Sequence, residues 1–163
     1  MNPDLIEKYK NEMLNIYSKV KPTQTTTTNI PKSENSSEGY LLGVVTAVRS
    51  LYPVKNAKVT VFTGDYENMQ VVDTSTTDQS GRTKVFALTT PEKALSLEED
   101  NKIPPYSLYN MLVEADGYIK NIHLNIPVFS TVTSIQRSNL ILKETAGENK
   151  NPQIFDEAQK YDL

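Results

Sequence analysis

The 163-residue sequence contains no cysteine. That absence excludes disulfides, zinc–thiolate and iron–sulfur sites, and any cysteine nucleophile. It does not fix the compartment, because many secreted bacterial domains also lack cysteine. There is one histidine, His123, so any imidazole chemistry would depend on that residue. No apolar run approaches the roughly 20 residues of a transmembrane helix. The opening MNPDLIEKYKNEMLNIYSKV is broken by charge at every turn, whereas a secretory signal needs an apolar core of about 7–15 residues. The expectation is a protein made and kept on the cytosolic side, unless it is released by lysis or a non-standard route. Lysine and arginine form no stripe and the net charge is −3, which argues against a nucleic-acid partner. The six glycines are scattered as turn residues and form no phosphate loop.

Hydrophobic residues make up 37% of the chain, which is low for a wholly globular protein, so part of the length lies outside the core. The pattern divides the chain into residues 1–20, 21–38, 39–144 and 145–163. In the first, Leu5, Ile6, Tyr9, Met13, Ile16, Tyr17 and Val20 recur at spacings of three and four, with Asp4, Glu7, Lys8, Lys10, Glu12 and Lys19 opposite. This is an amphipathic helix, with Asn2 able to cap it and Pro3 at the first helical position. A lone helix of this length is marginal in water, so its stripe needs cover. The cover is the chain's own domain, another chain or, least in keeping with a polar face of mixed charge, a membrane surface. Residues 21–38, KPTQTTTTNIPKSENSSE, read as a flexible linker. Its span of about 5–6 Å × √18, roughly 24 Å, reaches either the chain's own domain or a neighbour.

From Gly39 to Lys143 the pattern changes to alternation and turns. Strand-like runs fall at 40–49, 57–63, 69–76, 83–89, 108–115, 118–128 and 133–142. Short strands at this spacing predict a seven-stranded antiparallel β-sandwich. Tyr109, Met111, Val113 and Ala115 share one face, and Asn110, Leu112 and Glu114 the other. DQSG before RTKVFAL signals a hairpin, with Gly81 free to take positive φ. In the tail, Ile154, Phe155, Ala158 and Tyr161 could line one face of a short helix, or the end could fray.

Four stretches carry a resemblance: GYLLGVVTAVRSLYPVKNAKVTVFT, DTSTTDQSGRTKVFAL, PPYSLYNMLVEADGY and IPVFSTVTSIQRSNLIL. Together they resemble the carboxypeptidase regulatory-like, or transthyretin-like, β-sandwich domain. TTP before a long loop, PYSLYNMLVEADGY, and SIQ before the last strand are similar to the β-domain at the front of clostridial spore-cortex-lytic proteins. The likeness covers about residues 39–143. It implies a prealbumin-like sandwich in a bacterial spore or envelope setting. Those relatives continue into lytic or protease domains, whereas Leu142 here is followed by a short tail, so their activity is not carried over.

Candidate sites are few. His123, in NIHLNIP, alternates in register with Asn121 and Asn125, which places it on a polar, exposed strand face. A triad needs a nucleophile, a base and an orienting carboxylate, and no Gly-x-Ser-x-Gly elbow is present. Glu98, Glu99, Asp100 and Asn101 are the densest acidic run, but they lack calcium-loop spacing and read as a solvated loop. A Lys58–Asn139 isopeptide is discounted because the first strand carries no inward lysine. The expectation is therefore a non-catalytic structural or assembly module without cofactor or metal. It would self-associate or bind a protein partner through the helix face (Leu5, Ile6, Tyr9, Met13, Ile16, Tyr17, Val20) and the tail (Ile154, Phe155, Tyr161). The alternative is a carbohydrate- or peptidoglycan-binding module that uses Tyr66 and Tyr106 on a cell-wall glycan.

Overall fold

The computed structural model describes residues 3–19, 36–100 and 102–160. The chain divides into two units, Met1–Ile30 and Pro31–Leu163. Among the described residues the first contains one helix, α1 (Pro3–Lys19), with Asp4 in its first turn, where a carboxylate complements the helix dipole. Leu5, Ile6 and Tyr9 are 52%, 51% and 63% exposed. Val20 and most of the expected linker lie outside the described residues, while Ser36–Glu38 already belong to the first strand.

The second unit is mainly β and forms a sandwich of two mixed sheets. The strands are β1 (Ser36–Ala47), β2 (Tyr52–Pro53), β3 (Lys58–Thr63), β4 (Gln70–Thr76), β5 (Arg82–Pro91), β6 (Tyr106–Glu114), β7 (Asn121–Phe129), β8 (Thr133–Leu140) and β9 (Gln153–Asp156). The first sheet is built on β1, with β5 and then β2 along one side and β8 along the other. The second runs β4-β3-β6-β7-β9. All seven expected strands are present, and β2 and β9 add to them. The sandwich is not purely antiparallel, because β8 runs parallel to β1 and β9 parallel to β7. Parallel pairs need long crossovers. Here the whole intervening chain supplies the first, and residues 130–152, with β8 among them, supply the second.

Alternation builds the core. Leu41 and Val45 of β1, Phe86 and Leu88 of β5, and Leu140 of β8 face Val59, Val61, Tyr109, Met111, Val113, Ile126 and Val128 of the other sheet in one cluster. On the outer face of the second sheet, Phe62, Leu112 and Ile122 form a smaller cluster with Met69 and Leu124. Leu112 therefore occupies the face that alternation assigned it, and that face is covered.

Two glycines are forced. Gly39 pairs with Ser130, and a Cβ there would collide with the Phe129 carbonyl, Val128 and Thr90. Gly81 has φ +74, and a Cβ would meet the Val45 carbonyl. Its amide donates to the Asp78 carbonyl, and Asp78 Oδ1 accepts from Ser80 and Arg82, which closes the expected hairpin.

Register shifts interrupt the β1/β5 and β3/β4 pairs, and the one that shapes the β7–β8 rim is in β7. Tyr109 pairs with Ile126 but Met111 pairs with His123, so β7 carries one residue more than β6 between these pairs. The extra residue is a bulge at Asn125, φ 57, a left-handed conformation that asparagine tolerates better than most residues. Asn110 holds it: Oδ1 accepts the Asn125 amide at 2.9 Å, and Nδ2 donates to the Gly64 carbonyl at 2.9 Å. The bulge shifts the phase of the strand. Beyond it Ile126 and Val128 point inward; before it Asn121 and His123 do. His123 is thus 4% exposed, and its expected place on a solvent face is corrected.

Val113→Asp should unfold the sandwich. An unpaired buried carboxylate costs several kcal/mol, against a total stability of roughly 5–15 kcal/mol; loss of the cooperative thermal transition is the readout. Tyr109 gives a second test. Burial raises its phenol pKa above the ordinary value, and its hydroxyl donates to the Thr89 carbonyl at 2.6 Å. Because the folded pKa is the higher one, this contribution is complete below pH about 10 and declines above it as the unfolded chain loses its proton first. Tyr109→Phe should therefore flatten the alkaline fall in melting temperature while costing about 1 kcal/mol near neutrality.

Candidate functional site

Where the apolar core ends, between β7 and β8, the inter-sheet space is filled by polar side chains. His123 and Asn121 project from β7, and Gln136 and Ser138 from β8. Glu157 comes from the 3-10 turn (Glu157–Lys160) that follows β9. All five are buried: Asn121 is 0%, Ser138 1%, His123 4%, Glu157 5% and Gln136 8% exposed. Phe155 of β9 pairs with His123 in register and stacks on its ring, with centroids 5.0 Å apart and planes at 15°.

The hydrogen bonds form a chain. His123 Nδ1 lies 2.8 Å from Glu157 Oε1, and Nε2 lies 2.9 Å from Ser138 Oγ. Gln136 Nε2 donates to the same Oε1 at 3.0 Å and to the Arg137 carbonyl at 3.0 Å. Asn121 Nδ2 donates to Ser138 Oγ at 3.0 Å and to the Asn139 carbonyl at 2.9 Å. The network assigns the tautomer for a neutral ring. Nδ1 donates to the carboxylate, and Nε2 accepts the serine proton. The 3.2 Å approach of Gln136 Nε2 to His123 Nδ1 is then two donors converging on one oxygen.

Serine, imidazole and carboxylate are thus in the order of a nucleophile, its base and its orienting group. A nucleophile, however, must meet a carbonyl carbon. Ser138 is sealed between the sheets, and its oxygen already accepts from Asn121. The arrangement as it stands holds together three elements that are distant in sequence. Serine and histidine are 15 residues apart, and histidine and glutamate 34.

The remaining candidates scatter. Ile154 sits in β9 and is 63% exposed; Phe155 caps the cluster; Tyr161 lies outside the described residues. The expected tail helix is instead a strand followed by a 3-10 turn, because the β7 edge offers backbone partners to 153–156. Tyr66 lines a shallow depression of about 370 Å³ on the outer face of the second sheet, with Thr63, Asp65, Leu108, Asn110 and Asn125 among its walls. Tyr106 is two residues along β6 from Leu108 and packs edge-to-face on Phe129 at 5.5 Å. Lys58 and Asn139 lie in different sheets, both exposed, and Asn139 Oδ1 accepts the Ser50 amide of the β1–β2 turn. Glu98, Glu99 and Asp100 are exposed, and among the described residues no three His, Asp or Glu side chains converge as metal ligands.

Neither a known protein family nor a curated protein matches the chain. Among solved structures, the chain is similar to the Bacillus anthracis TIE protein, with 18% identity and a TM-score of 0.40, covering 64% of this chain and 16% of that one. It is also similar to a mutant of the shaft pilin spaA from Lactobacillus rhamnosus GG, with 12% identity and a TM-score of 0.35, covering 64% of this chain and 48% of that one. The chain therefore spans about a sixth and about half of these proteins. The class defined by the chain's own geometry is a β-sandwich module with a polar fastener at one rim.

Removing one partner of a buried hydrogen bond leaves the other desolvated and costs about 1–3 kcal/mol, more where that group is charged. His123→Ala should thus lower the melting temperature markedly, whereas on the exposed strand face expected from the sequence the change would be nearly silent. Glu157→Gln, which keeps an acceptor for His123 Nδ1, should cost less than Glu157→Ala. Thermal melts of the three variants check the order.

Proposed function

We propose that the chain is a non-catalytic structural module that joins itself or a protein partner through its terminal segments. The observation that carries this reading is α1, where Leu5, Ile6 and Tyr9 are each more than half exposed on one face. A helical apolar stripe of this kind is the usual anchor of helix-in-groove recognition. The sealed serine supports the non-catalytic part, since a triad without substrate access has only a structural use. The spore or envelope setting, and the carboxypeptidase regulatory-like relationship, rest on the sequence resemblance. Tyr9→Asp with Met13→Asp should reduce the mass found by light scattering, or abolish partner binding, while the sandwich melts almost unchanged. A much lower melt at constant mass would make α1 a lid on its own chain.

The depression beside Tyr66 favours a second reading, a glycan-binding module. An exposed ring next to asparagine and aspartate side chains suits the apolar face and hydroxyls of a sugar. This reading requires retention on cell-wall material that Tyr66→Ala removes and the helix substitutions leave intact.

A further inference from the structure

The tail does more than lie against the sandwich. Its strand β9 hydrogen-bonds in parallel to the edge of β7 over Asn121↔Gln153 to Leu124↔Asp156. Phe155 covers the His123 ring and Asp156 Oδ1 accepts from Asn125 Nδ2 at 3.0 Å. Glu157 then completes the buried cluster. Without this segment, the β7 edge would be a bare row of backbone groups ending in a polar cup of His123, Gln136 and Ser138. Such an edge is a template for an added strand, and the cup selects one that ends in a carboxylate.

The attachment is of a detachable kind. Little apolar surface is buried by β9: Ile154 is 63% and Phe155 39% exposed. The deepest contact is a single directed side chain, Glu157. The connection is long and polar. The chain is fixed as far as Thr145, whose amide and hydroxyl bond to the Leu142 carbonyl. Residues 147–152 are then exposed, with Gly147 at φ 65 in open space. Six or seven residues reach about 20–25 Å when extended. None of the groove–segment contacts depends on which chain supplies the segment.

We propose that the β7 edge is a strand-acceptor groove and that residues 153–157 of a second copy of this chain occupy it. Copies are then joined by exchange of their C-terminal segments, and each donates Glu157 to the other's His123. The occupant's chemistry is fixed by the groove: an extended strand, an aromatic ring over the imidazole, and a carboxylate two residues later. Exchange of an identical element costs little, because the same contacts re-form. The inference rests on the assembly reading above and assigns one of its joints.

The absence of cysteine allows a direct test on the full chain. Ile122→Cys and Ile154→Cys place thiols at paired positions of β7 and β9. The two single variants, mixed and then oxidised, should form a disulfide between position 122 of one chain and position 154 of the other, identified by peptide mass. Adding Glu157→Ala to the Ile154→Cys chain should abolish it. The double variant should give linked dimers or larger species on a non-reducing gel. If it links only within single chains, and the mixture yields no 122–154 bond, exchange is overturned. Should Ile122→Cys fail to fold, Leu124→Cys with Asp156→Cys probes the next pair. Light scattering separates the two ideas. If the mass falls with the α1 substitutions while links stay within chains, assembly stands and exchange fails. If the unmodified chain is a monomer at every concentration, exchange and self-assembly both fail, and only binding to a different protein is left of the assembly reading.

Discussion

The contact between His123 and Glu157 is the constraint on which this rim of the sandwich depends. Two stacked sheets must be filled between their faces, and at the β7–β8 edge the chain fills the space with imidazole, amide, hydroxyl and carboxylate groups in place of aliphatics. Each of these would be costly if left unpaired. The solution is reciprocal except at Asn121 Oδ1, which is buried without a hydrogen-bond partner. Asn121 serves Ser138, Ser138 serves His123, and His123 and Gln136 both serve Glu157. The last member comes from beyond β8, so the cluster is complete only with the tail in place. A segment that reads as a polar appendage is therefore part of the interior.

Much of the fold was legible because period-two alternation is a direct consequence of burial. Val59 and Val61, and Tyr109, Met111 and Val113, point where their spacing places them, and all are in the core. Gly81 takes the positive φ its hairpin demands. The site was not legible, for a specific reason. A bulge adds one residue, and a shift of one residue exchanges the two faces of a strand. NIHLNIP alternates cleanly on paper, so nothing in it announces that Asn125 is left-handed. The only local hint is the asparagine itself, a residue that enters that conformation more readily than its neighbours. The tail was misread for a related reason. Gln153–Asp156 is too short to show a period, and what makes it a strand is the vacant edge of β7, a tertiary fact.

The bulge also connects the two faces of the second sheet. On the outer side, Asn110 grips the Asn125 amide and the Gly64 carbonyl, fixing the wall of the depression next to Tyr66. On the inner side, the same extra residue turns His123 toward Ser138. Straightening β7 would turn His123 to the outer face and drive Leu124 into the polar cup. The hydrogen bonds of Asn110 thus hold in register a cluster that Asn110 does not touch.

The order serine–histidine–carboxylate is usually met where chemistry occurs, but the order alone sets only proton affinity and orientation. Reaction also requires a space in which a carbonyl can approach and a set of donors aimed at its developing charge. Here that space is occupied by the facing sheet, and the serine oxygen is engaged by Asn121. The same three groups in a closed rim have a different physical value. They are directional and satisfied only as a set, and their last member can be withdrawn without dismantling the apolar core. Those properties suit a fastener. An aliphatic plug of similar volume would hold the tail by area alone and would accept any apolar segment, whereas the imidazole–amide cup accepts a carboxylate at one depth and one register. The polar rim thus exchanges some stability for selectivity in what closes the sheet edge.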